Sequence, residues 1–293
     1  MTKYIVSGYI GFDNFGDEAI ARVLTEKLKS ENAEKITLIS SNPERTKELH
    51  GVNSCRMLKF FKDLKEADVL ISGGGSLLQD VTSLKSLIYY LGVIYTALFL
   101  RKKVEIFAQG IGPINSKIGR FLTKNALKHA SKISVRDTKS QELLKSWNID
   151  SKLVQDPVFS LNLPQKNLKG TVGIQLRNFP TLTDKFLEKL AQNVREKFSD
   201  KKIQIISLQD SIDLEVCEKF KQMLKLENSE VLSGLSINDV FEVISNLEYL
   251  IGMRFHANVV AIKCGVKTTA INYDIKVKKL AEEYNLPLIE LEM

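Results

Sequence analysis

What most limits the fold of this chain is an alternation. Short apolar runs, each ending on Gly, Ser or a polar residue, take turns with longer stretches of helical spacing. "KYIVSG", "KITLIS", "DVLISGGG", "VEIFAQGIG", "KISVRD" and "KLVQDPVF" read as strands. Between them lie amphipathic segments such as "DEAIARVLTEKLKS", in which Ala19, Ile20, Val23, Leu24 and Leu28 mark one helical face. Parallel strands need a crossover long enough to hold a helix, so this alternation predicts a parallel sheet covered on both faces. The pattern pauses at residues 160–170, "SLNLPQKNLKG", which holds Pro164 and Gly170, keeps neither period and reads as a linker. A second series follows with "TVGIQLR", "KIQIISLQ", "EYLIGMR" and "KTTAINYD". The expected fold is therefore α/β, with two doubly wound, Rossmann-like domains facing each other across a cleft. The division predicted is an N-terminal domain over residues 1–163 and a C-terminal domain over 164–293. In such sheets ligands bind beyond the carboxyl ends of the strands, so the loops there are where chemistry is sought.

Composition narrows the partners. With 44% apolar and 26% charged residues the chain has ordinary globular material for a core. A net charge of +7 suits an acidic small molecule, an anionic membrane surface or nucleic acid. Lys and Glu are interspersed along the presumed helices, as in "LTEKLKSENAEK", which is the pattern of a solvated surface, and no nucleic-acid partner is expected. Cys55, Cys217 and Cys264 lie far apart with no CxxC, so reduced thiols in a cytoplasmic protein are expected, and no metal. No signal peptide is expected ahead of the first strand. The run "LIYYLGVIYTALFL", Leu87–Leu100, falls short of the about 20 apolar residues a spanning helix needs and reads as a core helix. The alternative is a helix that touches the inner face of the membrane through its tyrosines and the Arg101–Lys103 cluster.

Six stretches at strand ends can carry chemistry. In "SGYIGFDNFGDEAI", Asp17 and Glu18 suit a helix N-terminus, whose dipole they complement. Asp13 sits in the loop proper beside the aromatic Tyr9, Phe12 and Phe15. An acid among rings suits a sugar, which stacks an apolar face and donates hydroxyl hydrogen bonds; an Asx-turn is the equally weighted alternative. "SGGGSLLQD" and "AQGIGPI" are glycine loops at successive strand ends, and Gly74 and Gly75 permit close approach by a ligand or by another loop. In "SVRD", Arg136 either pairs with Asp137 or Asp156 or binds a carboxylate or phosphate with its fork. "GMRFHA" puts Arg254 and His256 just past a strand, and "NYDIKV" puts Lys276 one strand–helix unit further on. His256 is one of only three histidines; His50 and His129 show no such clustering in the sequence. Arg254, His256 and Lys276, with Arg136, would make a site for a multiply charged anion. No GxGxxG, P-loop, HExxH, nucleophile elbow or HxE…CxxC pattern is present.

In order along the chain, "GYIGFDNFGDEA", "ISGGGSLLQD", "AQGIGPI", "SVRD", "DPVF", "GMRFHA" and "INYDIKV" resemble the polysaccharide pyruvyl transferase family, most of all its CsaB-type members of bacterial cell-wall polymer synthesis. The likeness covers nearly the whole chain. Where the family often has a second aromatic after Tyr9, this sequence has Ile10. The resemblance implies a two-domain fold like that of the GT-B glycosyltransferases. It implies transfer of pyruvate from phosphoenolpyruvate onto a sugar as a cyclic 4,6-ketal, with release of phosphate and no cofactor. In the CsaB-like branch the acceptor is N-acetylmannosamine within a lipid-linked precursor, and the ketal supplies the charge that S-layer homology domains recognise. By motif, Arg136, His256 and Lys276 hold the donor, with Arg254, Gly74 and Gly75 on the donor side, while Tyr9, Phe12 and Asp13 face the acceptor. On that footing His256 is the candidate acid that protonates the enol carbon, and Arg136 stabilises the departing phosphate. Asp13 is the candidate base for the sugar hydroxyl; Arg254 either assists or supports. The rival readings are a nucleotide-sugar glycosyltransferase of the same architecture, using its basic residues on a diphosphate, and a non-catalytic anion-binding protein.

Overall fold

The computed structural model describes residues 1–163 and 170–291. Two compact units divide the chain, Met1–Ser160 and Leu161–Met293. Residues 164–169, the heart of the expected linker, lie outside the described residues.

Unit 1 runs β1 (Lys3–Ser7), α1 (Phe15–Ser30), β2 (Lys35–Ile39), α2 (Pro43–His50), β3 (Asn53–Cys55), α3 (Phe60–Glu66), β4 (Val69–Gly73), α4 (Leu84–Phe99), β5 (Lys103–Gln109), α5 (Lys117–Lys128), β6 (Lys132–Val135), α6 (Thr138–Ser146) and β7 (Lys152–Leu153). Its sheet is parallel and seven-stranded in the order β3-β2-β1-β4-β5-β6-β7. The chain winds outward from β1 through β2 and β3, then returns to lay β4 on the other side of β1. That reversal is the switch point at which open α/β sheets leave a crevice. Residues of β1, β2 and β4 alternate between the two faces. Val6, Leu38 and Ile71 pack under Ala21, Leu24 and Leu28 of α1. Ile5, Ile39 and Leu70 pack with Leu64 of α3, Leu91 and Ile94 of α4 and Leu127 of α5.

Unit 2 repeats the plan with β8 (Thr171–Gln175), α7 (Asp184–Phe198), β9 (Lys202–Ile206), α8 (Asp210–Leu224), β10 (Ser229–Leu232), α9 (Ile237–Ser245), β11 (Tyr249–Gly252), α10 (Phe255–Lys263), β12 (Lys267–Asn272), α11 (Ile275–Glu283) and β13 (Leu288–Glu290). Its parallel sheet is ordered β10-β9-β8-β11-β12-β13, so the reversal falls between β8 and β11. Leu187 and Leu190 of α7 and Val216 and Phe220 of α8 cover Val172, Ile174, Ile203 and Ile205. Val277 and Ala281 of α11 cover Ala270 from the opposite face. The described residues thus form two parallel sheets and eleven helices.

Three features differ from the sequence reading, each for its own reason. The edge strands β3, β10 and β13 escape the apolar pattern because an edge needs little burial: Asn53 and Glu290 are exposed. "KLVQDPVF" keeps a strand only over Lys152–Leu153, and Pro157, which has no N–H for a ladder, opens a 3₁₀ turn to Ser160 instead. The Leu87–Leu100 run is only half a core element. In α4, Leu87, Leu91, Val93, Ile94 and Ala97 are buried, while Leu84, Ile88 and Phe99 are exposed. No helix among the described residues is long and apolar enough to cross a membrane.

Candidate active site

The registers show what stands at each switch point. In unit 1 Ser7 pairs with Ser72, so Tyr9 and Gly74, two residues on, leave the sheet as neighbours. The Tyr9 ring stacks on Phe12, with centroids 4.1 Å apart and planes 6° from parallel. Ile10, the residue that departs from the family pattern, is buried and packs into the α1-side core. Asp13 takes a left-handed φ of 55°. Its Oδ1 lies 2.8 Å from Arg45 Nε of α2, and both side chains are 56% exposed. Asn14, next along, caps α1 by accepting from the Gly16 N–H. Gly74, at φ 64°, is required for packing: a Cβ there would lie 2.1 Å from Ile20 Cγ2 of α1. Its N–H donates to the Phe107 carbonyl, and the Gly110 N–H donates to the Gly75 carbonyl, tying this loop to the end of β5. Close approach at Gly74 and Gly75 is by the chain itself.

Beneath the first loop lies a polar contact that sequence reasoning missed. Glu18 does not merely complement the α1 dipole. It turns inward, accepting the Gly11 N–H at 2.6 Å through Oε1 and meeting His50 Nε2 at 2.9 Å through Oε2, with the His50 side chain fully buried. The partners are 32 residues apart, so no local signal could have joined them. At the end of β6, Arg136 Nη1 donates to Asp156 at 2.7 Å and Nη2 to Ser76 Oγ at 3.1 Å. Of the partners considered from sequence it takes Asp156; Asp137 instead caps α6 through Ser140.

In unit 2 Gln175 pairs with Gly252, and Gly252 with Ala270, so Arg177, Arg254 and Asn272 sit side by side two residues beyond. Arg254 is buried. Its Nε and Nη2 grip both oxygens of Asp213 in α8 at 2.7 Å, and Nη2 also donates to Gln209 at 3.1 Å. Its N–H donates to Gln175 Oε1 at 2.6 Å. Complete burial lifts the Asp213 carboxyl above its ordinary range, with the Arg254 guanidinium opposing the lift. Arg254 is thus a strut between β11 and α8, and not a fork open on all sides. It also stands at the N-cap of α10, where an arginine offers no acceptor and makes no capping bond. His256 lies in the first turn of that helix, partly buried, its ring edge-on to Phe255 at 5.1 Å. Lys276 opens α11 behind the capping Asp274, its Nζ 3.7 Å from that carboxylate and its side chain 40% exposed.

Arg177 is the residue that sequence reasoning passed over, although a cation closing the strand "TVGIQLR" was a signal of the same kind as Arg136. Its guanidinium stands 5.6 Å from the Tyr273 ring and 5.9 Å from that of Phe179. Nη1 donates to Tyr273 Oη at 3.4 Å, and the buried Nε–H has no hydrogen-bond partner among the described residues. Burial pushes the Tyr273 phenol up against the pull of Arg177, so this hydroxyl keeps its proton. The Arg177 guanidinium, a histidine and a helix N-terminus without a side-chain cap therefore stand with the Arg254–Asp213 pair at the carboxyl edge of β8 and β11, an arrangement that favours anions. No group of side chains among the described residues forms a metal site.

Comparison with known proteins agrees with the fold. The family model described as polysaccharide pyruvyl transferase matches residues 14–275. No curated protein matches the sequence. Among solved structures, Anabaena HepE in complex with UDP and glucose is similar at a TM-score of 0.65 and 14% identity, over 99% of this chain and 86% of that one. UDP-GlcNAc 2-epimerase from Neisseria meningitidis bound to UDP-GlcNAc gives 0.64 and 10%, over 99% and 88%. A glycosyltransferase from Rickettsia africae gives 0.62 and 13%, over 100% and 85%. At these identities the likeness is one of fold, the GT-B architecture of glycosyltransferases and epimerases.

Proposed function

The chain belongs to the polysaccharide pyruvyl transferase family, and from that premise we propose that it moves the pyruvyl group of phosphoenolpyruvate onto a pair of sugar hydroxyls as a ketal, releasing phosphate. The observation that carries this reading is the carboxyl edge of β8 and β11. Phosphoenolpyruvate bears a carboxylate and a phosphate on three carbons, and Arg177, Lys276 and the α10 N-terminus suit those two anionic groups. His256 protonates the enol carbon, and the electron deficiency that this creates at C2 is met by a sugar hydroxyl. Phosphate then leaves and the second hydroxyl closes the ring, each hydroxyl giving up its proton. Arg254, anchored on Asp213, fixes the start of α10, the helix that carries His256, and Arg136, anchored on Asp156, holds the Ser76 loop directly.

The acceptor is assigned to unit 1. The Tyr9–Phe12 stack offers a flat apolar face to a sugar ring, and Asp13, paired with Arg45, accepts the hydroxyl proton. From the family resemblance, the acceptor we propose is an N-acetylmannosamine-containing, lipid-linked polysaccharide precursor.

Phosphate release from phosphoenolpyruvate in the presence of such an acceptor, with the product read by mass, tests the reading. His256→Ala should lower turnover by about 100-fold or more, as loss of a general acid does, with the melting transition unmoved. Turnover retained in that variant removes His256 from the chemistry. The GT-B likeness keeps one rival in view, a nucleotide-sugar glycosyltransferase. Release of nucleoside diphosphate from a sugar nucleotide, without phosphate release from phosphoenolpyruvate, would select it.

A further inference from the structure

A run of exposed apolar side chains in unit 1 lies away from the switch point, on α4 and α5. Along α4 the residues Leu84, Ile88, Tyr95 and Phe99 recur at helical spacing on one side, and Ile88 and Phe99 are 52% and 84% exposed. A Cβ built on Gly92, within the same stripe, would meet nothing within 4 Å. On α5, Ile118 and Phe121 are 70% and 69% exposed, one turn apart. The two helices are fastened together by Tyr95 Oη donating to the Leu122 carbonyl at 2.9 Å and Asn125 Nδ2 donating to Tyr95 Oη at 3.2 Å. Their bared side chains therefore stand on two helices packed side by side.

The charge carried by α4 and α5 themselves is of one sign. The sequence of α5, "KIGRFLTKNALK", carries Lys117, Arg120, Lys124 and Lys128 and no acid; α4 carries only Lys85, and Arg101–Lys103 follow its end. Asp80, the carboxylate at the near end, is turned onto the backbone N–H groups of Asn115 and Ser116. Isolated exposed apolar residues are ordinary, but an apolar strip on two helices that themselves carry cations and no acid marks an interaction site with a complementary partner. We infer that the α4–α5 face docks on an anionic lipid surface, with Phe99, Ile118 and Phe121 entering the headgroup boundary and the lysines meeting lipid phosphates. A second copy of the chain fits less well, because pairing this face with itself would set Lys117, Lys124 and Lys128 against their own images. The surface rests on these observations alone and stands whatever group the enzyme transfers.

Flotation of the full chain with sealed vesicles tests it. Vesicles of equal parts phosphatidylcholine and phosphatidylglycerol should carry the protein, and pure phosphatidylcholine vesicles should not. I118S/F121S changes exposed positions only. It should weaken partition by roughly tenfold with an unchanged melting transition. Reversal of Lys117, Lys124 and Lys128 to Glu should weaken partition by about a hundredfold or more, since each cation near an anionic surface is worth roughly fivefold and reversal adds repulsion. Raised salt should release the wild type. Failure to float with the anionic vesicles, or flotation that neither variant reduces, overturns the proposal. So would a wild-type dimer in solution that I118S/F121S splits, which would give the face to a second copy.

Discussion

Over six strands the two sheets share one order, to which unit 1 adds β7, and they finish their switch points in opposite materials. Two residues past the pair Ser7–Ser72 stand Tyr9 and Gly74; two past Gln175–Gly252 stand Arg177 and Arg254. At the β1–β4 switch point the first edge is aromatic and backbone, with Asp13 and Arg45 out in water and the buried pairs Glu18–His50 and Arg136–Asp156 set beneath and beside it. The second keeps its charge inside, where Arg254 is held on both oxygens of a fully buried Asp213. Topology thus fixes where a crevice forms, and side chains decide what it can hold. A buried guanidinium obliges the fold to supply a counter-ion, and each unit does so, Asp156 for Arg136 and Asp213 for Arg254; only in unit 2 does that pair stand at the switch point itself.

The sharpest way to break this contrast is to remove the counter-ion. Asp213→Ala leaves Arg254 buried without a partner and should cost about 3–5 kcal/mol in urea unfolding; a loss below that of an ordinary surface change would mean the pair is not doing what its burial implies. Next comes Gly74→Ala, which meets Ile20 at 2.1 Å on a left-handed backbone and should cost about 2–4 kcal/mol. Adding Ile20→Ala should return part of that cost, and strict additivity of the two changes would refute the contact. Smallest is Arg45→Ala. Its ion pair with Asp13 is exposed, so stability should change by less than about 1 kcal/mol. The effect should fall on the KM for the acceptor, while binding of phosphoenolpyruvate, measured by calorimetry, stays as it was.

Much of the architecture is legible because strand and helix periods are written in adjacent residues. The interior strands β1, β2, β4, β5, β6, β8, β9, β11 and β12 all carry apolar runs; of the edges, β7 lies within a run legible in the sequence, while β3, β10 and β13 are short and partly polar, and only pairing reveals them. Within the site, the strand-end placing of Arg254, His256 and Lys276 follows from the same periods. Their surroundings do not: Asp213 is 41 residues from Arg254, and Asp156 is 20 from Arg136. Arg177 was visible as a strand-closing cation, yet only its setting against Tyr273 and beside Arg254 singles it out.

By itself, then, the sequence determined the alternation, the parallel sheets it obliges and the loops at which ligands can be met, since each follows from spacing along a few turns of chain. Tertiary structure alone decided which charges are committed and which remain for a ligand. His50 became the support of Glu18, Arg254 the partner of Asp213, and α4 the bearer of an apolar stripe on its outer side. The reason is physical. Burial and electrostatic pairing depend on distance in space, and a folded chain sets that distance between residues its sequence keeps far apart.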